Sequence, residues 1–262
     1  MTCQCCDGTS SVSHQNQITN GAAAGKTQQG WGAPKAEQTR RERLESGNIT
    51  CGCSAGLLEY AWLRWKLYNM KLVIAATGAS GAIYLQRLLA QIDGRTHEVH
   101  LLMSGYARDV AKQELDHFKI PSTVSEHSET DMNVPFVSGS ARFDAMVVVP
   151  CSMGTLGRIA SGLSDSVLLR AADVFLKERR KLILVPRETP WNLIHARNVM
   201  TLLEAGAIVL PAIPSFYSRP SSIADLVDTV VWRILDQIGL PPSNAYRWGE
   251  KSDSAKTSRE KS

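Results

Sequence analysis

Lys71–Gly81, KLVIAATGASG, is the stretch on which the fold turns. Leu72, Val73, Ile74, Ala75 and Ala76 run without polar alternation, the pattern of a strand buried on both faces of a parallel sheet. Thr77-Gly78-Ala79-Ser80-Gly81 then turns the chain, and Ala82–Gln91 reads as a helix with Ile83, Leu85, Leu88, Leu89 and Ile92 on its apolar side. In a doubly wound sheet the turn after the first strand lies at the carboxyl edge, where ligands bind. Glycines there let the backbone approach a phosphate or a flat ring, and the helix N-terminus offers unpaired N–H groups to an anion. The turn alone is weak evidence. It is neither GxGxxG nor a Walker loop, and a tight β–α connection with Ser80 as N-cap accounts for it equally well.

Working outward, Glu98–Met103 (EVHLLM) is a second strand ending at Ser104-Gly105, and Tyr106–Leu115 follows as a helix carrying Glu114. Pro121–Arg142 is polar and irregular, ends in Ser138-Gly139-Ser140, and is expected to be a surface loop or lid. Asp144–Pro150 is a third buried strand that delivers Cys151-Ser152-Met153-Gly154-Thr155 to the same edge, with a helical pattern from Leu156. Leu163–Lys177 is a helix containing Arg170, Asp173 and Lys177; Leu182–Pro186 is a fourth strand, ending at Arg187-Glu188-Thr189-Pro190. Trp191–Ala205 is helical and closes at Gly206, a suitable C-terminal glycine, before a fifth strand at Ala207–Leu210. Pro211–Pro220 is a loop holding Phe216, Tyr217 and Arg219, and Ile223–Ile238 is an amphipathic last helix with Arg233. Strands alternating with helices at this pitch make one α/β domain with a parallel sheet and right-handed crossovers.

Of 262 residues, 44% are hydrophobic and 21% charged, enough apolar content for a sizeable core. A net charge of +4 without a basic block interleaved with aromatics gives no case for nucleic acid. No apolar run reaches the roughly 18–20 residues of a membrane helix. The six cysteines are Cys3, Cys5, Cys6, Cys51, Cys53 and Cys151. All but Cys151 fall outside the expected core, so disulfides do not hold the fold, which fits a reducing compartment such as the cytoplasm. Residues 1–69 are rich in Gly, Ser, Thr, Asn and Gln and read as a disordered extension. Their cysteines have CxC rather than CxxC spacing and no histidine at ligand distance, so no metal is expected. Met70, directly before the first strand, reads as the natural start; an organelle transit peptide is the weaker option for the upstream residues. The domain is expected over 70–240, with a tail from 241 to 262.

Each strand end carries hydroxyls, glycines or charges: Ser80, Ser104, Ser152 with Thr155, and Arg187 with Glu188. Loops at one edge of a parallel sheet converge, so these residues should line one crevice. Hydroxyls and backbone amides suit a phosphate and a ring edge, and Arg187, Lys177, Arg170 and Arg233 could form a cationic clamp. For any single basic residue a solvated helix face is the competing reading, and Arg187 beside Glu188 could be an ion pair. Cys151 invites a nucleophile reading, against that of a small buried hydrophobe.

TGASG after the first strand, PCSMGTL (Pro150–Leu156), RAADVFLKERR (Arg170–Arg180), VPRETP (Val185–Pro190), the Phe216–Pro220 loop and PPSNAYRWGE (Pro241–Glu250) together resemble the UbiX-type flavin prenyltransferases. The resemblance runs from about Lys71 to Gly249. It implies a Rossmann-like flavoprotein fold, a doubly wound αβα sandwich, assembled as a dodecamer built of trimers. It also implies transfer of a dimethylallyl group from dimethylallyl phosphate to N5 and C6 of reduced FMN. The product, prenylated FMN, would serve UbiD-type decarboxylases of ubiquinone biosynthesis or aromatic acid decarboxylation, with a flavin reductase supplying the reduced acceptor. Position by position, Thr77, Gly78, Ala79, Ser80, Ser104, Ser152, Met153, Thr155, Arg170 and Arg187 match the flavin site. Lys177, Arg187, Tyr217 and Arg233 match the clamp for the prenyl phosphate, and Glu188, Ser80 and Glu114 the catalytic positions. Residues 1–69 have no counterpart, and residues 122–137 match poorly, with Met132 where some members have an aromatic.

This chemistry suits these residue types. A Lys/Arg clamp would stabilise the charge growing on a departing phosphate, so no magnesium is required and no Asp-rich diphosphate motif is present. Glu188 would exchange protons with phosphate or N5, and Ser80 would relay one during ring closure. The nearest rival is an FMN-dependent cysteine decarboxylase of related fold, but PCSMGT has Gly154 where that group carries an asparagine. A nicotinamide dehydrogenase lacks its fingerprint here. A non-catalytic FMN-binding protein would have no use for Lys177, Arg187 and Glu188.

Overall fold

A computed structural model describes residues 69–249. The expectations for the N-terminal extension, its cysteines and the end of the tail lie outside these residues. The chain builds β1 (Lys71–Ala76), α1 (Ala82–Gln91), β2 (Glu98–Met103), α2 (Gly105–Glu114), β3 (Val124–His127), a 3-10 turn (Pro135–Val137) and β4 (Ala145–Cys151). It continues with α3 (Met153–Ala160), α4 (Val167–Lys177), β5 (Lys181–Pro186), α5 (Leu193–Glu204), β6 (Ile208–Val209) and α6 (Ile223–Ile238). All strands pair in parallel, in the order β3-β2-β1-β4-β5-β6. The order reverses between β1 and β4, which is where such sheets open a crevice at their carboxyl edge.

The unbroken apolar runs have the cause the sequence suggests. Alternate residues of β1 enter opposite layers: Leu72 and Ile74 pack with α1 and α6, while Val73 and Ala75 pack with α3 and α4. Every residue of β4 is buried. Side chains start the helices on the carboxyl edge: Ser104 accepts from Ala107 N, Ser152 from Thr155 N, Ser166 from Leu169 N and Asn192 from His195 N. α1 differs. Its N-cap is Gly81, not Ser80, with φ 113°, a conformation that glycine adopts without strain.

One expectation is corrected. Pro121–Arg142 is not simply a loop over the surface, because Val124–His127 pairs with β2 as an edge strand and Phe136 in the 3-10 turn is fully buried. The strand is polar, VSEH, because only one of its edges is paired; the buried pull of the segment comes later, from Val134 and Phe136. Helices α3, α4 and α5 also begin at Met153, Val167 and Leu193, each set by the cap before it rather than by apolar periodicity.

Candidate active site

The strand ends are stitched in a row. Thr77 N and Oγ1 both donate to Pro150 O at 3.1 Å, and Ser152 N donates to Thr77 Oγ1 at 2.8 Å, so β1 and β4 are joined where they stop. Ser104 N donates to Ala76 O at 3.1 Å, which holds the β2 turn beside them. Along this row lies a cavity of about 630 Å³, lined by Thr77, Ser104, Gly105 and Thr155 on the strand side. Ser152 caps α3 beneath it with Oγ 3.1 Å from Thr155 Oγ1, and Met153 is buried there. Tyr106, Arg158 and α4's first turn complete the wall, with Glu129, Thr130 and Met132 from the segment after β3. Tyr106 rides so close to the β1 turn that a Cβ on Gly78 would sit 2.6 Å from its own Cβ.

A second group gathers at α1. Glu114 reaches across from the end of α2, and its Oε2 accepts from Gly81 N and Ala82 N, both at 2.8 Å. The carboxylate thus occupies the amides that the sequence offers to a phosphate. Burial pushes Glu114 upward, but the Ser80 hydroxyl, these amides and the Arg187 charge outweigh it and hold the carboxyl below its ordinary value. Arg187 Nε donates to Ser80 O at 3.1 Å, tying the end of β5 to the same turn. Tyr84 lies close by, its phenol raised by burial against the opposing pull of Arg187. Glu188 is exposed and folded on its own backbone, Oε1 accepting from Thr189 N at 3.0 Å.

The remaining clamp residues do not join either group within one chain. Tyr217 and Arg233 line a separate cavity of about 480 Å³ with Trp232, Asp236 and Trp248. Tyr217 meets Trp248 edge to face at 5.2 Å, and Arg233 pairs with Asp236 at 3.2 Å. Arg170 pairs with Asp173 at 2.8 Å and Lys177 with Glu178. α4 starts at the cavity and runs back beside the sheet to the beginning of β5, so Lys177 sits at the end of α4 remote from the carboxyl edge. Cys151 is wholly buried and its thiol is pushed up to about 12 by that burial, which rules out a thiolate nucleophile at neutral pH.

Several wall residues had no signal in the sequence. Arg158 holds Asp165 through one nitrogen, at 2.6 and 2.8 Å from the two carboxylate oxygens, across the α3–α4 connection. Tyr106 stands exposed at the lip with Asp109 one turn on. Among the described residues no group of three or more His, Cys, Asp or Glu is placed to hold a metal ion, and no helix is long and apolar enough to cross a membrane.

A family model described as Flavoprotein matches residues 64–235. The flavin prenyltransferase UbiX of Methanocaldococcus jannaschii is 46% identical over 183 residues, covering 69% of this chain and 99% of that protein. That of Pseudomonas aeruginosa is 42% identical over 199 residues, covering 69% and 95%. Among solved structures, AnUbiX (PadA1) in complex with FMN and dimethylallyl pyrophosphate matches with 42% identity and a TM-score of 0.66, over 70% of this chain and all of that one. A dodecameric FMN-dependent UbiX-like decarboxylase from Escherichia coli matches with 40% identity and a TM-score of 0.64, over 69% and 100%. With the fold, the carboxyl-edge cavity and these relatives in agreement, the chain belongs to the UbiX flavin prenyltransferases of the flavoprotein family.

Proposed function

We propose that the chain transfers a dimethylallyl group from dimethylallyl phosphate to reduced FMN, forming prenylated FMN. The observation that carries this reading is the cavity of about 630 Å³ at the switch point, whose strand-end wall includes Thr77, Ser104 and Thr155 of the residues matched to the flavin site. Its donors fit a flavin phosphate and ring. Ser104 and Thr155 offer hydroxyls, and Gly105 has nothing within 4 Å of where a Cβ would be. Because Glu114 fills the α1 amides, the phosphate falls to Ser104 and the start of α2. Reduced FMN supplies the electron-rich N5 and C6 that accept the five-carbon group.

The chain's own residues then divide the work. Lys177 and Arg233, with the Tyr217 hydroxyl, hold the departing phosphate and stabilise its charge, a role that electrostatic preorganisation serves without a metal. They occupy separate faces of one chain, so in this reading neighbouring copies bring them together; the dodecameric relative supports such an assembly. Arg187 anchors the Ser80 turn and faces the same charge. Glu188 takes or gives the proton at the phosphate, and Ser80, held by the ionised Glu114, relays a proton during ring closure. A flavin reductase supplies the acceptor, a UbiD-type decarboxylase receives the product, and the cytoplasm is the setting.

The test is anaerobic incubation of the purified protein with reduced FMN and either dimethylallyl phosphate or the diphosphate, followed by mass analysis of the released flavin. One added five-carbon unit is expected. Bound FMN with unchanged mass under both donors would move the reading to a decarboxylase or a carrier. Glu188→Gln should retain FMN binding and slow single-turnover transfer by roughly 10²–10⁴-fold; an unchanged rate removes Glu188 from the proton transfer.

A further inference from the structure

We infer that His100 and His127 form a proton-limited latch that positions the β3-side wall of the flavin cavity. His100 Nδ1 lies 2.7 Å from His127 Nε2, and His100 Nε2 lies 2.9 Å from Glu98 Oε1. The rings stack at 4.9 Å, edge-on to Phe136, with Phe143 against His100. This inference rests on the flavin reading of the cavity.

The chemistry of the donors assigns the tautomers. A carboxylate only accepts, so His100 donates through Nε2 and, as a neutral ring, accepts at Nδ1 from His127 Nε2–H. One added proton leaves a donor and an acceptor between the rings. A second leaves two N–H groups facing each other and two cations in contact, so the bond breaks.

The surrounding charges do not relieve this. Lys71 of β1 pairs with Glu98 at 2.7 Å, and Arg108 of α2 pairs with Glu126 of β3 at 2.6 Å, so the Glu98 and Glu126 carboxylates are already shared. Asp144, before β4, accepts from Lys71 N at 2.8 Å. Asp131 favours the charged form of His127, but burial and the His100 charge outweigh it and lower His127 below its ordinary value. α4 contributes Leu168, Ala172 and Phe175 to the apolar cluster that contains Phe136 and Phe143.

What the latch holds is the cavity wall. Glu129, Thr130 and Met132 follow His127 directly and line the cavity, and Glu129 O accepts from Val167 N at 3.2 Å, joining the segment to the start of α4. Opening the latch therefore loosens β3, the wall and α4's first turn together. A group whose folded pKa is depressed stabilises above its unfolded value, near 6.5, and that stability drains as pH falls below it. The wall should loosen as the pH falls below about 6.5.

The experiment has two arms. Hydrogen–deuterium exchange of the flavin-free protein, corrected for intrinsic rates, should show protection of residues 124–137 falling by up to about tenfold per pH unit as the pH drops below about 6.5, while β1 and β4 stay protected. In the second arm, FMN affinity is followed from pH 7.5 to 5.0 in wild type and His127→Gln, whose amide donates to His100 but takes no proton. The flavin phosphate also titrates near 6, equally in both proteins. Wild type should lose on the order of tenfold more affinity than the variant across this range. Constant protection of 124–137 in wild type, or an equal loss in His127→Gln, overturns the latch. Failure to bind FMN at any pH overturns the flavin reading instead, and the exchange arm still decides the latch.

Discussion

Cys151 shows how a residue can occupy a promising place and still be inert. It ends β4, beside Ser152 and the cavity, but the backbone closes over it and burial holds the thiol near 12. A thiolate would need a pH well above neutrality, so native protein treated with a maleimide at pH 8 should leave Cys151 unmodified by peptide mapping. Modification only after denaturation is the expected result; rapid labelling of the folded protein would return the nucleophile reading to consideration. Position alone suggested chemistry at this residue, and depth decided against it. Glu114 is the converse case. Its place on α2 was evident from periodicity, but its contact with Gly81 and Ala82 spans more than thirty residues of sequence and leaves no local trace.

At the scale of elements, the strands were the most legible part. A run such as AMVVVP, apolar on both faces, has no other use in a chain of this composition. β3 escaped notice because an edge strand can be polar, and its four residues give too little pattern. Helix starts followed the capping Ser and Asn side chains, whose effect is local, while periodicity placed some of them several residues early. Packing between elements was not visible at all. α1 meets α6 through Asp228, nearly buried, which accepts from Arg87 Nε at 2.8 Å and Gln91 Nε2 at 2.9 Å. The Asp228 hydrogen bond raises Arg87 and keeps it charged, although its side chain is over a third exposed and water shares its charge. Asp228→Ala should therefore lower stability by about 1–3 kcal/mol, less than a fully buried pair would lose. Thermal unfolding checks this, and adding Arg87→Met should recover much of the loss; no recovery would mean that Asp228 acts through something other than this pair.

For the molecule as a whole, the site residues matched to the relatives divide into groups that one chain does not unite. The flavin-side hydroxyls converge at the sheet edge, whereas Lys177 lies at the far end of α4 and Tyr217 with Arg233 lines another cavity. Apolar surface accompanies this division: Leu193, Ile194, Met200 and Leu203 of α5 are all more than half exposed. Such a face on a helix is the signature of a partner. Replacing Leu193 and Ile194 by Asp should shrink the particle seen by light scattering and abolish prenyl transfer while the fold, read by circular dichroism, persists. A variant that stays active as a single chain would refute a site shared between copies. None of this division could be read from one sequence, because a motif reports which residues are used and not which copy supplies them.

The carboxylate of Glu114 on the first helix has a further meaning. The strand order is that of dinucleotide-binding enzymes, whose diphosphate rests on this same helix start. Here the chain has furnished its own permanent tenant, negatively charged and fastened by two amides. A nicotinamide dinucleotide would have to evict it, against like-charge repulsion, before it could settle. The architecture is thus shared with the dehydrogenases, but the berth that their coenzyme uses is taken here by a carboxylate of the chain's own.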